Sequence, residues 1–203
     1  PENGAEQPVD SEPDAWPVYR HDNRRSGATT AEVALPLATM WRSSGYENLT
    51  SLVVADGRCF FAEKDRHTLH CLDAETGEAK WLYVAGGRID SPPTIYNGTV
   101  LFGSRDGCVY CLRAGDGELV WRFQAAPTQR FISAHGQLES AWPVHGSVLV
   151  QDVVVYFSAG RSSFLDSGIL VYGLDAKTGQ VLHHHRLEGP WPDIQSDVGT
   201  PFA

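Results

Sequence analysis

An eleven-residue segment recurs along this chain at an interval of 40 residues, and that recurrence leaves few folds open. Cys71-Leu-Asp-Ala-Glu-Thr-Gly-Glu-Ala-Lys-Trp81 returns as Cys111-Leu-Arg-Ala-Gly-Asp-Gly-Glu-Leu-Val-Trp121, and Trp41 stands another 40 residues upstream. A third copy, Gly173-Leu-Asp-Ala-Lys-Thr-Gly-Gln-Val-Leu-His183, is displaced by 62 from the second. A fixed period of this kind marks a repeat architecture, in which one unit cannot bury its apolar faces alone and stacks on its neighbours.

Each unit divides into four short strands rich in Val, Phe, Tyr and Trp. The first unit predicts strands over 51–55, 58–63, 68–72 and 79–84, and the second over 94–96, 99–104, 108–112 and 118–123. Asp56-Gly57 and Asn97-Gly98 are tight-hairpin signals, because both positions tolerate positive φ. No apolar 3.6-residue pattern is sustained over three turns, so no helix is expected. Four antiparallel strands per 40 residues describe a propeller blade. The fold class is therefore all-β: a β-propeller segment of about three four-stranded antiparallel blades in an incomplete ring. The recurring residues have a mechanical reading. Trp41, Trp81 and Trp121 leave one blade and dock on the next, Ala74, Ala114 and Ala176 are the small partners, and Gly77, Gly117 and Gly179 take the positive-φ position of the turn before the fourth strand.

The segment D-A-x-T-G-x-x-x-W, here 73–81, resembles the blade signature of the pyrroloquinoline-quinone (PQQ) repeat family, which includes quinoprotein alcohol dehydrogenases and a non-enzymatic outer-membrane assembly lipoprotein. The resemblance covers about residues 37–190, with His183 replacing the tryptophan in the last copy. Trp16-Pro-Val-Tyr-Arg-His-Asp-Asn-Arg-Arg-Ser-Gly27 and Gln137-Leu-Glu-Ser-Ala-Trp-Pro-Val144 are similar to stretches of large extracytoplasmic bacterial proteins with these blades. On this reading residues 1–35 are an arm or linker and 36–203 a partial propeller. Within it 36–45 is a closing strand carrying Trp41, 48–86, 89–126 and 139–188 are blades, and 196–203 begins the next. The start at Pro1 without Met is expected of a processed or trimmed product. The remaining blades are expected from the full-length chain or a second subunit. The resemblance implies a periplasmic or secreted location. In the enzymes of the family PQQ sits in the channel beside an adjacent-Cys disulfide, with a calcium-type ion and a catalytic Asp. No adjacent Cys pair or matched ion-ligand set is present here, so no cofactor is expected unless the remaining blades supply the PQQ and calcium ligands.

A net charge of −9 gives no electrostatic footprint for nucleic acid. No apolar run reaches the roughly 20 residues that span a bilayer as a helix. Cys59, Cys71, Cys108 and Cys111 read as small buried hydrophobes, with a Cys59–Cys71 cross-strand disulfide as the alternative. Cys108 and Cys111 form a C-x-x-C on a strand, where residues three apart face opposite ways, which argues against joint ligation.

Candidate ligand residues fall in two places. At the channel mouth, Arg88, Asp90 and Ser91 precede the second blade, and Ser91 aligns with Thr50 and Ser140, as Asp90 does with Glu139. The second place is a pair of long loops, 127–137 between blades and 160–168 inside a hairpin. These supply Arg130, His135, Arg161, Ser162, Ser163 and Asp166. An Arg pair suits a carboxylate or sulfate, and His135 with Glu139 is a candidate acid–base pair for catalysis. The competing reading is structural: backbone satisfaction at the mouth, and an Arg161–Asp166 ion pair that orders its loop. His183 and His185 share a strand face opposite His184, half a metal site at most, so no metal is expected. The leading expectation is a non-catalytic extracytoplasmic scaffold that binds a protein or glycan. The alternatives are a fragment of a PQQ-dependent alcohol or sugar dehydrogenase, and a polysaccharide-active enzyme using His135, Glu139 and Arg161.

Overall fold

A computed structural model describes residues 15–33 and 35–189. The first fourteen residues of the arm and the blade start expected at 196–203 lie outside the described residues. The described fold is all-β, with three four-stranded antiparallel meanders and one extra hairpin. The first blade is β1 (Val53–Ala55), β2 (Arg58–Glu63), β3 (Thr68–Asp73) and β4 (Ala79–Val84). The second is β5 (Thr94–Tyr96), β6 (Thr99–Gly103), β7 (Cys108–Arg113) and β8 (Leu119–Gln124). Residues read as a loop between blades form a hairpin, β9 (Phe131–Ala134) and β10 (Gln137–Ser140). The third blade follows as β11 (Leu149–Gln151), β12 (Val154–Ala159), β13 (Ile169–Asp175) and β14 (Val181–Leu187).

Blade turns follow the local chemistry. Asp56-Gly57 and Asn97-Gly98 both carry two successive positive φ angles, the geometry of a right-twisted two-residue hairpin. His135-Gly136 adopts the same geometry at the tip of the β9–β10 hairpin, which explains why that stretch pairs with itself.

Alternation along each strand builds two inter-blade cores. Val100 and Phe102 of β6 and Cys108, Tyr110 and Leu112 of β7 point at the first blade, against Val53, Phe60, Leu69 and Cys71. Leu101, Val109 and Cys111 point the other way, against Val150, Val155, Phe157, Leu170 and Leu174 of the third blade. The first three strands of the middle blade are therefore mostly buried on both faces and read as near-continuous apolar runs, while β8 at the rim keeps a solvent face.

At the periphery the indoles repeat one contact. Trp41, Trp81 and Trp121 donate their Nε1–H groups to the carbonyls of Ala74, Ala114 and Ala176 at 2.9, 3.0 and 3.0 Å. Their rings lie over Gly77, Gly117 and Gly179, where a Cβ would sit 2.6–2.8 Å from ring carbons. Trp41 makes this contact although residues 36–45 form no strand; the expected partner, the third strand of a closing blade, is not among the described strands. On the opposite flank every residue of β14 is exposed, and His183 occupies the tryptophan position.

The stretch 15–27 is not a free arm. Trp16 pairs through both backbone groups with Val54 of β1, the Pro17 carbonyl accepts from Ile95 of β5 at 2.8 Å, and the Asn23 side chain donates to the Val150 carbonyl of β11 at 2.6 Å. It therefore crosses all three inner strands near their β1–β2-type turns.

The register places Cys59 opposite Leu72 and Cys71 opposite Phe60, so the two thiols enter different cores. All four cysteines are free and buried. Burial pushes the thiols of Cys71 and Cys108 up to about 12 and that of Cys111 to about 11, and raises Cys59 as well. Native protein at neutral pH should not react with a soluble disulfide reagent such as Ellman's, and all four thiols should titrate after denaturation. Prompt labelling of any one in the native state would contradict this packing.

Candidate functional site

In a four-stranded meander the turns between second and third strands share an end with the connections between blades. Here that end gathers the charged residues. Asp65 lies in the β2–β3 turn, Arg105 in the β6–β7 turn, Arg88 and Asp90 in the connection to the second blade, and Glu139 at the base of the inserted hairpin. Arg88 bonds Asp65 at 2.7 Å and Asp90 at 3.2 Å. Arg105 then joins Asp90 to Glu139, whose side chain is only 4% exposed. The result is one chain of three carboxylates and two guanidiniums running across two blades and the hairpin.

Backbone and amide bonds lock this chain in place. The Ser140 N–H donates to the Arg105 carbonyl at 2.7 Å, and the Arg105 N–H to the Arg88 carbonyl at 2.8 Å. Gln137 reaches the first blade, donating to the Asp65 carbonyl at 3.0 Å and lying 2.6 Å from His67 Nε2. For Asp90, burial disfavours the charged form, but the hydrogen bonds and charges of Arg105 and Arg88 outweigh it and hold the carboxyl below its ordinary range. Burial likewise opposes the Arg105 cation, and its bonds to Asp90 and Glu139 more than restore it.

A second, smaller cluster lies beside the third blade. Arg130 bonds Asp166 at 2.7 Å, Arg161 bonds the same carboxylate, and Trp142 donates to the Asp166 carbonyl at 2.7 Å. Asp166, Ser167 and Gly168 carry three successive positive φ angles, so the ion pairs hold a strained loop.

The expected channel-mouth hydroxyls all serve the backbone. Ser91 donates to the His145 carbonyl at 2.7 Å, Thr50 accepts from the Ala62 N–H at 3.0 Å, and Ser140 accepts from the Trp142 N–H at 3.1 Å. Ser162 accepts from the Phe164 N–H at 3.2 Å, and the Ser163 carbonyl from the Gly189 N–H at 3.0 Å. Arg88, Asp90 and Glu139 are brought together, as are Arg130, Arg161 and Asp166. His135 and Glu139 are not: His135 stands at the exposed hairpin tip, while Glu139 is held at its base by Arg105. His184 stacks on Tyr172 at 4.6 Å, and His183 and His185 lie on the other face of β14.

Sequence reasoning missed Asp65, His67, Arg105 and Gln137. The signal was present in the repeat, since Asp65 and Arg105 are 40 residues apart in equivalent turns.

This architecture, with indoles docking successive four-stranded blades, is that of a PQQ-type propeller segment. The family described as outer membrane protein assembly factor BamB matches residues 23–197, and the chain belongs to it. No curated protein matches the sequence. Among solved structures, the quinohemoprotein alcohol dehydrogenase from Comamonas testosteroni aligns with 85% of this chain and 27% of its own, at 20% identity and a TM-score of 0.67. A europium-containing methanol dehydrogenase aligns with 89% of this chain and 33% of its own, at 15% identity and a TM-score of 0.69. The chain thus spans about a quarter to a third of these structures, and at such identities the likeness is one of fold.

The described residues do not supply a ligand set for a calcium-type ion. Asp90 and Glu139 are committed to guanidiniums, and among the described residues no three His, Cys, Asp or Glu side chains converge to hold a metal. Among them, too, no helix is long and apolar enough to cross a membrane.

Proposed function

We propose that this chain is part of a non-catalytic, extracytoplasmic propeller that docks a protein partner at the end carrying the β9–β10 hairpin. One observation carries the reading: at that end the charges neutralise one another, while large apolar side chains stand bare. Leu138 on β10 is 70% exposed, and Phe164 and Leu165 of the neighbouring 160–168 loop are exposed as well. Charges already paired lose little when a partner covers them, whereas bare apolar area gains about 25 cal/mol per Å² on burial. The hairpin is anchored to the first and second blades, so it presents this surface with little ordering cost. The description of the family as an outer-membrane assembly factor supports the same location and a protein partner.

The test uses the full-length protein in its native envelope, with a photo-crosslinking residue at Leu138 or at the equally solvent-facing Leu82 of β4. A discrete protein adduct is expected at Leu138 and not at Leu82. Purified protein given PQQ and calcium should show no dye-linked alcohol oxidation. Cofactor-dependent turnover, or crosslinking no stronger at Leu138 than at Leu82, would defeat the scaffold reading. Turnover would restore a PQQ-dependent dehydrogenase.

A further inference from the structure

We propose that the cleft between β8 and the β9–β10 hairpin is a binding site for one ring of a neutral saccharide. The cleft has a volume of about 220 Å³. That is below the roughly 300–1,000 Å³ of pockets for larger ligands, and suits a single sugar ring. Asp106, Arg122, Gln124, Thr128, Gln129 and Phe131 line it.

The lining chemistry selects the ligand class. A sugar hydroxyl donates and accepts at once, so its site needs both functions side by side. Arg122 supplies donors, Asp106 the lone pairs left free by Cys108 and Tyr110, and Gln129 and Thr128 both functions, while the Gln124 amide, already donating to the Ala126 carbonyl at 3.2 Å, offers its oxygen. One cation and one anion leave the cleft without net charge, so a carboxylate ligand would meet Asp106 and an ammonium ligand Arg122. Phe131 adds a flat apolar surface, 53% exposed, against which the C–H face of a pyranose can lie.

Two further observations favour a built site. Asp106 is fixed from below, accepting the Cys108 N–H at 3.0 Å and the Tyr110 hydroxyl, and it leaves no room for a Cβ at Gly86. The polar surface also appears where the hairpin covers it. Forty residues earlier, Arg122 and Gln124 correspond to Leu82 and Val84, which are exposed and apolar on a blade without such a hairpin.

The experiment is saturation-transfer NMR on the full chain with glucose, galactose and N-acetylglucosamine, and with glucuronate and glucosamine as charged counterparts. At least one neutral sugar should bind with a Kd of about 1 mM, and the charged ones about tenfold more weakly. Phe131→Ala and Arg122→Met should each weaken binding about tenfold, while Phe131→Trp retains it. Phe131 and Arg122 are solvent-facing, so an unchanged melting temperature confirms folding of each variant. The proposal fails if no neutral sugar saturates at tens of millimolar, if charged and neutral sugars bind alike, or if binding survives both substitutions. Crosslinking at Leu138 reports on the protein partner separately, so either reading can fail alone.

Discussion

Trp81→Ala should lower the stability of the full chain by about 3 kcal/mol or more, with the loss concentrated where the first blade meets the second. The indole lies over Gly117, bonds the Ala114 carbonyl, and packs at 5.8 Å from Phe60 at the rim of the shared core. Removing it leaves a carbonyl without its partner and a gap that rigid strands cannot close. Trp81→Phe keeps most of the ring and loses the hydrogen bond, so a smaller loss of about 1 kcal/mol is expected. Gly117→Ala attacks the same contact from the other side, because the position has φ +77° and its Cβ would press on the indole. Denaturant midpoints rank the three variants, and hydrogen exchange in β4 and β7 should rise before that in β13. A loss under about 1 kcal/mol for Trp81→Ala would show that the indole is not what joins these blades.

Arg105→Met should cost about 3–5 kcal/mol, because it strips the counterion from a nearly buried Glu139 and from one side of Asp90. Its pH dependence gives a sharper test. In the native protein Asp90 has a lowered pKa, so on acidification the unfolded chain takes up its proton first. That contribution is complete above the ordinary carboxylate pKa of about 4 and is lost as pH falls through the lower native value. In Arg105→Met, the burial of Asp90 is opposed by Arg88 alone, so most of what holds its carboxyl below the ordinary range is lost. The variant lacks this acid-sensitive contribution, so its deficit relative to the native protein should grow as pH rises from about 2 to 5. The double variant Arg105→Met/Glu139→Gln should recover part of the loss. A deficit that stays constant across this range, or shrinks as pH rises, would refute the coupling.

The blades were readable because their determinants are local and repeated. Asp-Gly and Asn-Gly turns, alternating apolar strands and the Trp–Gly interval all lie within one 40-residue window. The β9–β10 hairpin was harder to see. Its turn is His135-Gly136, its strands are four residues long, and it has no second copy against which to align it. The third blade hid its first hairpin in a similar way, turning at Asp152-Val153, where a valine holds positive φ at a position glycine fills in the other two blades. The candidate site divided along the same line. Arg88, Asp90 and Glu139 declared themselves by type and position, but their common partner Arg105 lies in a four-residue turn that reads as ordinary solvent-facing polarity. Only three-dimensional closure brings that turn beneath the inserted hairpin. His135 and Glu139, four apart in sequence, were separated by the fold of that same hairpin.

The stitching of residues 15–27 across β1, β5 and β11 bears on how the molecule is made. Asn23 and Val150 are 127 positions apart, so residues 15–27 leave the ribosome long before their last anchor exists. At about 5–20 residues per second that wait is on the order of ten seconds. Throughout it Asn23 lacks its partner on the third blade, and a chaperone or translocation factor can hold the stretch at that end without competing against a formed contact. Complete anchoring of residues 15–27 requires all three inner strands, so this stretch certifies that the third blade has been built.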